Sequence, residues 1–270
     1  MSVHSDMKKK TVVTVKNMKG VEKISVLTAY DFTMASIMDK SGIDVLLVGD
    51  SVANVVAGYG STLPITLDNL IYHGQSVMRG VKQALVVIDM PFGAYQASAN
   101  VALENAVKML KCEAGEAVKL EGGEYIAETI SKIVGAGIPV MGHLGLTPQS
   151  VNNFGGYKIQ AKSQNDAKKL IDDAKVLEQA GCFSVVLEKV PADVAKIVTE
   201  SISIPTIGIG AGAHTDGQVL VSYDMLGLTQ GFSPRFLRRF ANLGEQIQSS
   251  TEEYIRAVKD ADFPNDTESY

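Results

Sequence analysis

The stretch Leu85-Val86-Val87-Ile88-Asp89 is a run of large apolar residues that ends on a carboxylate. Three other runs in the chain end in the same way: Ile43–Asp50, Ala117–Glu121 and Phe183–Glu188. Short, mostly β-branched runs are typical of parallel strands that are covered on both faces of their sheet. A carboxylate at the end of such a strand lies at the carboxyl edge of the sheet, where α/β enzymes place their chemistry.

The intervals between these carboxylates fit successive strand-and-helix units. Asp50 lies 39 residues before Asp89, Asp89 lies 32 before Glu121, and Glu121 lies 67 before Glu188. Since one such unit takes at least about 30 residues, the last interval predicts one more strand between Glu121 and Glu188. The stretch Gly137–Gly142 supplies that strand.

Further apolar stretches complete the predicted fold. Three of them bring the number of strands to eight: Ile24–Ala29, Ile204–Gly208 and Gln218–Tyr223. Helices are predicted in the gaps over Phe32–Lys40, Asn100–Gly115 and Asp166–Gln179, the first of them capped by Asp31. Eight alternating units in 270 residues predict an α/β fold, a (β/α)8 TIM barrel, which takes about 250 residues. A doubly wound sheet is the alternative, because the number of strands does not show closure.

The composition indicates one domain over residues 1–270, with a polar N-terminal tail (about 1–10) and an acidic C-terminal tail (about 260–270). Hydrophobic residues make up 46% of the chain, and no apolar run approaches the roughly 20 residues that span a bilayer. The net charge of −5 argues against nucleic acid or an anionic membrane as a partner. With two cysteines and no apolar signal segment, we expect reduced thiols in a cytoplasmic protein.

The acidic edge of the predicted sheet indicates a metal site. Asp50, Asp89 and Glu121 follow three consecutive strands and could converge on one ion. Oxygen ligands without paired His or Cys favour a hard divalent cation such as Mg²⁺ or Mn²⁺. An Asp after a strand also often caps the next helix, so each carboxylate alone has a structural interpretation. For the three together we favour the metal site.

Three more side chains are candidates beside this site. Lys119 lies two residues before Glu121 and so faces the same side of its strand, where a buried ammonium requires either a carboxylate partner or an anionic substrate. Glu188 is separated from the cluster around the ring and is a candidate base. His143 is a candidate donor to an oxyanion or to a carboxylate beside the metal, or alternatively a core histidine.

Seven stretches of the chain, in order, resemble ketopantoate hydroxymethyltransferase, and the resemblance extends from about Val15 to Val258. They are Leu27–Asp31, Val48–Ser51, Ser61–Thr66, Val118–Gly123, Gly142–Gln149, Ile207–Gly212 and Asp216–Val221. The resemblance implies a barrel of the phosphoenolpyruvate/pyruvate type. It also implies transfer of a hydroxymethyl group from 5,10-methylenetetrahydrofolate to 3-methyl-2-oxobutanoate, giving 2-dehydropantoate and tetrahydrofolate in pantothenate and coenzyme A biosynthesis.

The same resemblance implies a role for each candidate residue. Asp50, Asp89 and Glu121 match the family's magnesium positions, with Glu121 binding directly or through water. Asp50, Ser51, Asp89 and Lys119 match its oxo-acid contacts, and Glu188 matches its proton acceptor. Family members are homo-oligomers, often decamers, so a homo-oligomer that binds small-molecule substrates is expected.

Two other functions compete with this interpretation. One is a related Mg²⁺-dependent carbon–carbon lyase that acts on another 2-oxo acid. Such a lyase is expected to carry a catalytic cysteine loop, for which Cys112 and Cys182 are poorly placed. The other is a nucleotide-binding or purely structural barrel, based on the glycine-rich stretch Gly208–Ala213, which fits the dinucleotide fingerprint only formally.

Overall fold

Eight parallel strands form a closed barrel in the computed structural model, which describes residues 8–270. The strands are β1 (Ile24–Thr28), β2 (Val45–Val48), β3 (Leu85–Asp89), β4 (Ala117–Glu121), β5 (Val140–Gly145), β6 (Ser184–Glu188), β7 (Thr206–Ile209) and β8 (Gly217–Leu220). The first and last strands pair, with Val26 opposite Val219. This closure confirms the predicted (β/α)8 barrel and excludes the doubly wound sheet.

Helices connect most of the strands, although the chain passes from β7 to β8 through a loop. The helices are α1 (Val12–Asn17), α2 (Phe32–Lys40), α3 (Val52–Val55), α4 (Leu67–Gly80), α5 (Ala99–Lys111), α6 (Ala127–Gly135), α7 (Val151–Phe154), α8 (Gln164–Gln179), α9 (Ala192–Ser201), α10 (Ser222–Met225) and α11 (Leu243–Lys259). Single 3₁₀ turns occur at Glu124–Ile126 and Pro148–Ser150. Asp31 caps α2 as predicted, because its carboxylate accepts a hydrogen bond from the Met34 N–H.

The predicted bounds were correct for β3 and β4 and wrong at the end of β8. Strand β8 ends at Leu220, whereas the sequence prediction continued it to Tyr223. Leu220 pairs with Leu27, one residue before β1 ends, so a strand that continued to Tyr223 would extend beyond the end of β1. The chain therefore turns into α10, and the Leu226 N–H donates to the Ser222 carbonyl.

The described chain forms two compact units, one ending at Leu220 and one of Val221–Tyr270. The second unit holds α10 and α11, and the Leu243 N–H at the start of α11 donates to the carbonyl of Leu226, which follows α10. The single domain expected over residues 1–270 stays a prediction. Residues 1–7 of the expected N-terminal tail lie outside the described residues. Residues 260–270 contain no helix or strand.

An apolar layer fills the half of the barrel at the amino-terminal ends of its strands, called the lower half below. It includes Val45, Val87, Ala117 and Val186 from four strands, with Val15 of α1 packed against them from below. Just before α1, Lys9 donates to Glu116 at 2.8 Å and Lys10 forms an ion pair with Asp44. Helix α1 therefore closes the amino-terminal end of the barrel, and the charged residues that end β3 and β4 lie at the opposite end.

No helix among residues 8–270 combines the length and the apolar character needed to cross a membrane.

Candidate active site

The strands carry their polar residues above the apolar layer because side chains alternate along each strand. On β4, Ala117 belongs to the apolar layer, and Lys119 and Glu121 follow on the same face at two-residue steps. On β3, Val87 is followed in the same way by Asp89. Lys119, Glu121 and Asp89 are all buried, so a charged cluster stands directly on the apolar layer.

Asp89 is held on both oxygens. Its Oδ1 lies 3.0 Å from Lys119 Nζ, and its Oδ2 accepts a hydrogen bond of 2.9 Å from the Asp50 backbone N–H. Register places Asp89 directly opposite Lys119 on the neighbouring strand. The structure therefore brings Asp50, Asp89 and Lys119 together, as the sequence predicted.

His143 connects Glu121 with Glu188. Its Nδ1 lies 3.2 Å from Glu121 Oε1 and its Nε2 lies 3.3 Å from Glu188 Oε2. Nδ1 is also 3.2 Å from Lys119 Nζ. The Glu188 side chain is 16% exposed, whereas that of His143 is 4% exposed. Among the four carboxylates of the site, Glu188 is therefore the one that a solute entering the barrel can reach most easily.

The carboxylates of the cluster affect one another's ionisation. Burial, together with the charges of Asp89 and Glu121, raises the pKa of Asp50 to about 8. Burial also raises the pKa of Asp89, although Lys119 opposes this. For Glu121 burial is outweighed by its contact with His143 and by the charges of His143 and Lys119, so its pKa is lowered. Asp50 therefore carries most of the unfavourable repulsion.

Two cations balance part of this charge. Burial lowers the pKa of Lys119, but attraction to Asp89, Glu121 and Asp50 reverses the effect and raises it. For His143 burial and Lys119 lower the pKa, and the contacts with Glu121 and Glu188 raise it to about 9. The neighbouring carboxylates therefore favour the charged form of both side chains.

The donor set fits a divalent cation that binds with help from substrate or water. When the four carboxylates are ionised, their charge exceeds that of Lys119 and His143 by the charge of one divalent cation. Asp89 Oδ1 and Glu121 Oε1 are buried and, apart from their ion-pair contacts, accept no well-aligned hydrogen bond. Within residues 8–270, no three His, Cys, Asp or Glu side chains are already arranged as a complete ligand set. Mg²⁺ needs only one or two carboxylates, because it keeps several waters and binds substrate oxygens.

Ser51 lies beside this cluster, where β2 passes into α3. Its hydroxyl lies 2.9 Å from the Tyr30 hydroxyl, and Tyr30 is buried at the end of β1. A Cβ at Gly49 would lie 2.8 Å from Ser51 Oγ, so the absence of a side chain there lets the hydroxyl lie over the strand end. The sequence pointed to Ser51 only through the family resemblance, and Tyr30 was missed.

Gln149 is the main site residue that sequence reasoning missed as an individual. It lies in the turn Pro148–Ser150 after β5 and is buried. Its side chain contacts Asp50, and its backbone N–H donates to Glu121 Oε2 at 2.9 Å. The only sequence signal for Gln149 was its position at the end of Gly142–Gln149, one of the seven stretches that resemble the family.

Gly145 sets the position of Glu188 on the next strand. The two residues are paired in register, and a Cβ at Gly145 would lie 2.3 Å from the Glu188 carbonyl oxygen. Gly145 also has φ +87°, which costs an L-residue about 1–2 kcal/mol.

We expect Gly145→Ala to lower the free energy of unfolding by more than this backbone cost and to reduce turnover, because β6 must shift with Glu188. Denaturant unfolding and steady-state kinetics measure the two effects.

Gly137 provides the matched control for this variant. Its φ is +89°, and an added Cβ would meet nothing within 4 Å. Gly137→Ala therefore has the same backbone cost without the collision and should leave turnover unchanged. Equal effects of the two variants on stability and turnover would show that the contact with Glu188 does not matter.

A protein-family model described as ketopantoate hydroxymethyltransferase matches residues 9–266 of the chain. The chain is 58% identical over 266 residues to the 3-methyl-2-oxobutanoate hydroxymethyltransferase of Flavobacterium johnsoniae, covering 98% of each sequence. It is also 58% identical over 249 residues to the protein of the same name from Parabacteroides distasonis, covering 92% of this chain and 91% of the relative.

Solved structures of more distant proteins have the same fold. The crystal structure of phosphonopyruvate hydrolase complexed with oxalate and Mg²⁺ matches with a TM-score of 0.61 at 10% identity, covering 96% of this chain and 93% of the other. The structure of 2,3-dimethylmalate lyase, a member of the PEP mutase/isocitrate lyase superfamily, matches with a TM-score of 0.59 at 13% identity, covering 96% and 91%. At such identities these likenesses concern the fold alone, and they agree with the (β/α)8 barrel that the sequence predicted.

Proposed function

Because the chain belongs to the ketopantoate hydroxymethyltransferase family, we propose that it uses Mg²⁺ to transfer a hydroxymethyl group from 5,10-methylenetetrahydrofolate to 3-methyl-2-oxobutanoate. The products are 2-dehydropantoate and tetrahydrofolate. The observation that carries the proposal is the buried cluster of Asp50, Asp89, Glu121 and Lys119 above the apolar layer. The cluster lies at the carboxyl ends of the barrel strands, where enzymes with this fold have their active sites. The match to the Flavobacterium johnsoniae relative covers 98% of the chain.

Asp50 and Asp89 would hold the Mg²⁺ ion, and Glu121 would contact it through water. Two direct carboxylates leave coordination positions for substrate oxygens, which is the usual arrangement for Mg²⁺. Burial, together with repulsion from Asp89 and Glu121, raises the pKa of Asp50 to about 8, and a bound cation would oppose both effects. When bound, the ion supplies Lewis-acid polarisation of the oxo acid's ketone oxygen.

The oxo acid would be held by Lys119, Ser51, Asp50 and Asp89. Lys119 offsets the negative charge of the substrate carboxylate from a buried position beside Asp89. The Ser51 hydroxyl, held by Tyr30, is a hydrogen-bond donor that carries no charge. Asp50 and Asp89 would act on the substrate through the ion, so their effects on metal and oxo-acid binding are coupled.

Glu188 would take the proton from C3 of the oxo acid. Its side chain is more exposed than those of the other three carboxylates. In its ion pair with His143, only one of its two carboxylate oxygens makes the contact. The electron pair left at C3 would form the new bond to the methylene carbon of the folate. The two bonds from that carbon to the folate nitrogens would break, and a water molecule would supply the hydroxyl oxygen. The proton from C3 and one proton from the water would balance the two that the folate nitrogens take up as tetrahydrofolate leaves. His143 positions Glu188 through the contact of 3.3 Å between His143 Nε2 and Glu188 Oε2.

The remaining proposals concern the setting of the enzyme. We propose that the chain acts in the cytoplasm and assembles into a homo-oligomer, a decamer as the family resemblance implies. Apolar side chains on α11, among them Ile247, Tyr254 and Val258, are exposed and support an assembly that covers them.

The test of the proposed function is a product assay. The protein is incubated with 3-methyl-2-oxobutanoate, with and without 5,10-methylenetetrahydrofolate and Mg²⁺, and 2-dehydropantoate is measured. We expect product only in the complete mixture, loss of product on chelation without loss of the folded state, and recovery when Mg²⁺ is returned. Full activity after chelation would contradict the metal proposal.

The same assay tests the alternative lyase. Cleavage of another 2-oxo acid without folate would favour it over the transferase. Neither cysteine supports it, since Cys182 is buried ahead of β6 with its pKa raised by burial to about 12, and Cys112 ends α5.

A further inference from the structure

The Gln149 side chain uses its full capacity for hydrogen bonds. Its Nε2 donates to Asp50 Oδ2 and to the Met90 carbonyl, each at 3.0 Å. Its Oε1 accepts from the Tyr95 hydroxyl at 2.9 Å and from Gln96 Nε2 at 3.0 Å. A primary amide has two donor hydrogens and two acceptor lone pairs, so every one of them is satisfied.

These partners also fix which way the amide points. Asp50 Oδ2 and the Met90 carbonyl are acceptors, so a flipped amide would place its oxygen against a carboxylate and a carbonyl. On the other side Gln96 Nε2 is a donor. The Tyr95 hydroxyl accepts from the Glu121 N–H at 3.1 Å, and its one proton can go to Gln149 Oε1 at 2.9 Å or to the Glu121 carbonyl at 3.1 Å. The donor end of Gln149 is therefore directed at Asp50.

The backbone of Gln149 holds a second carboxylate. Its N–H donates to Glu121 Oε2 at 2.9 Å, while Glu121 Oε1 contacts His143. Pro148 starts the 3₁₀ turn that presents this N–H to the cluster. One residue in the loop after β5 thus touches the carboxylates that follow β2 and end β4.

We propose that Gln149 is a positioning residue that fixes Asp50 and Glu121 in the orientations required for Mg²⁺ and oxo-acid binding. This inference rests on the proposed function. The amide occupies one oxygen of Asp50 and opposes the repulsion from Asp89 and Glu121. Without the Gln149 amide, the Asp50 carboxylate can rotate away from the site. Its buried oxygen then lacks a hydrogen bond, which costs free energy.

The test uses two variants of similar size, Gln149→Glu and Gln149→Met. Gln149→Glu keeps an acceptor for Tyr95 and Gln96 but loses the donor to Asp50, and Gln149→Met loses both without adding charge. Calorimetry with Mg²⁺ and 3-methyl-2-oxobutanoate, without folate, measures oxo-acid affinity and the half-saturating Mg²⁺ concentration. We expect both quantities to worsen by about tenfold or more in both variants, as expected for losing a buried hydrogen bond to a charged group.

Gln96→Met is the matched control. It removes one bond to the amide oxygen, leaves the donor to Asp50 in place, and lies at an exposed position. We expect it to change the half-saturating Mg²⁺ concentration by less than about twofold, since an exposed hydrogen bond contributes little. Thermal unfolding, followed in parallel, separates weaker binding from a weaker fold.

Two outcomes would overturn the role of Gln149. One is normal Mg²⁺ and oxo-acid binding in both variants, and the other is failure of both variants to fold, which would make Gln149 a structural residue. A wild-type protein that binds no oxo acid in the presence of Mg²⁺ would instead contradict the proposed function. The wild-type titration therefore distinguishes the two failures.

Discussion

Glu188→Gln is expected to slow exchange of the C3 hydrogen of 3-methyl-2-oxobutanoate with deuterated solvent by about 10²-fold or more, the usual contribution of a general base. The substitution keeps the shape and polarity of the side chain but removes the proton acceptor. Exchange is followed by NMR in the presence of Mg²⁺, with folate omitted so that carbon–carbon bond formation does not consume the substrate. Turnover in the complete reaction should fall in parallel.

Binding provides the control for this variant. Within the described residues, the ion pair that joins Glu188 to the cluster is the one with His143. Mg²⁺ and oxo acid should therefore bind to the variant nearly as well as to the wild type. Wild-type exchange without folate is the reference rate. Undiminished exchange in Glu188→Gln would identify another group as the base.

Lys119→Met should abolish oxo-acid binding and destabilise the fold at the same time. The ammonium lies 3.0 Å from Asp89 in a buried pair, and breaking such a pair by removing one partner costs about 3–5 kcal/mol. We expect a loss of that order in the free energy of unfolding, measured with denaturant at neutral pH. We also expect oxo-acid affinity in calorimetry to fall by about 10²-fold or more, as for a charged pair lost from a desolvated site.

The double variant Lys119→Met/Asp89→Asn separates the two effects. Removing both charges leaves neither member of the Lys119–Asp89 pair without its partner, so part of the lost stability should return. Oxo-acid binding should stay lost, because both the ammonium and one proposed metal ligand are gone. Normal oxo-acid binding by Lys119→Met alone would make Lys119 a structural partner of Asp89.

Most of the barrel was predictable because its strands are buried on both faces. Leu85–Asp89 is a continuous apolar run that ends on a carboxylate, and Ala117–Glu121 follows the same pattern except for Lys119; the predicted bounds of both agree with the structure. The end of β8 was not predictable from its residues, because Val221 and Ser222 suit a strand as well as a helix start. The register with β1 decides where that strand stops.

The site residues on strands were predictable, because side chains alternate along a strand. The site residue in the turn after β5 was not predictable, because the path of that turn depends on the rest of the fold. Asp89, Lys119 and Glu121 lie together because of positions along β3 and β4. Gln149 joins them from 28 residues beyond Glu121, through a turn whose direction depends on tertiary contacts. The ion pairs of His143 with both Glu121 and Glu188 likewise required the register between β4, β5 and β6.

The closure of the lower end of the barrel by α1 has a kinetic consequence. Val15 and the apolar layer fill the amino-terminal end of the lumen within residues 8–270, so the substrates of the proposed reaction would enter and leave at the carboxyl end. We expect the small oxo acid, which has to reach Lys119, to bind before the larger folate. We expect tetrahydrofolate to leave before 2-dehydropantoate, because the folate would lie nearer to the opening.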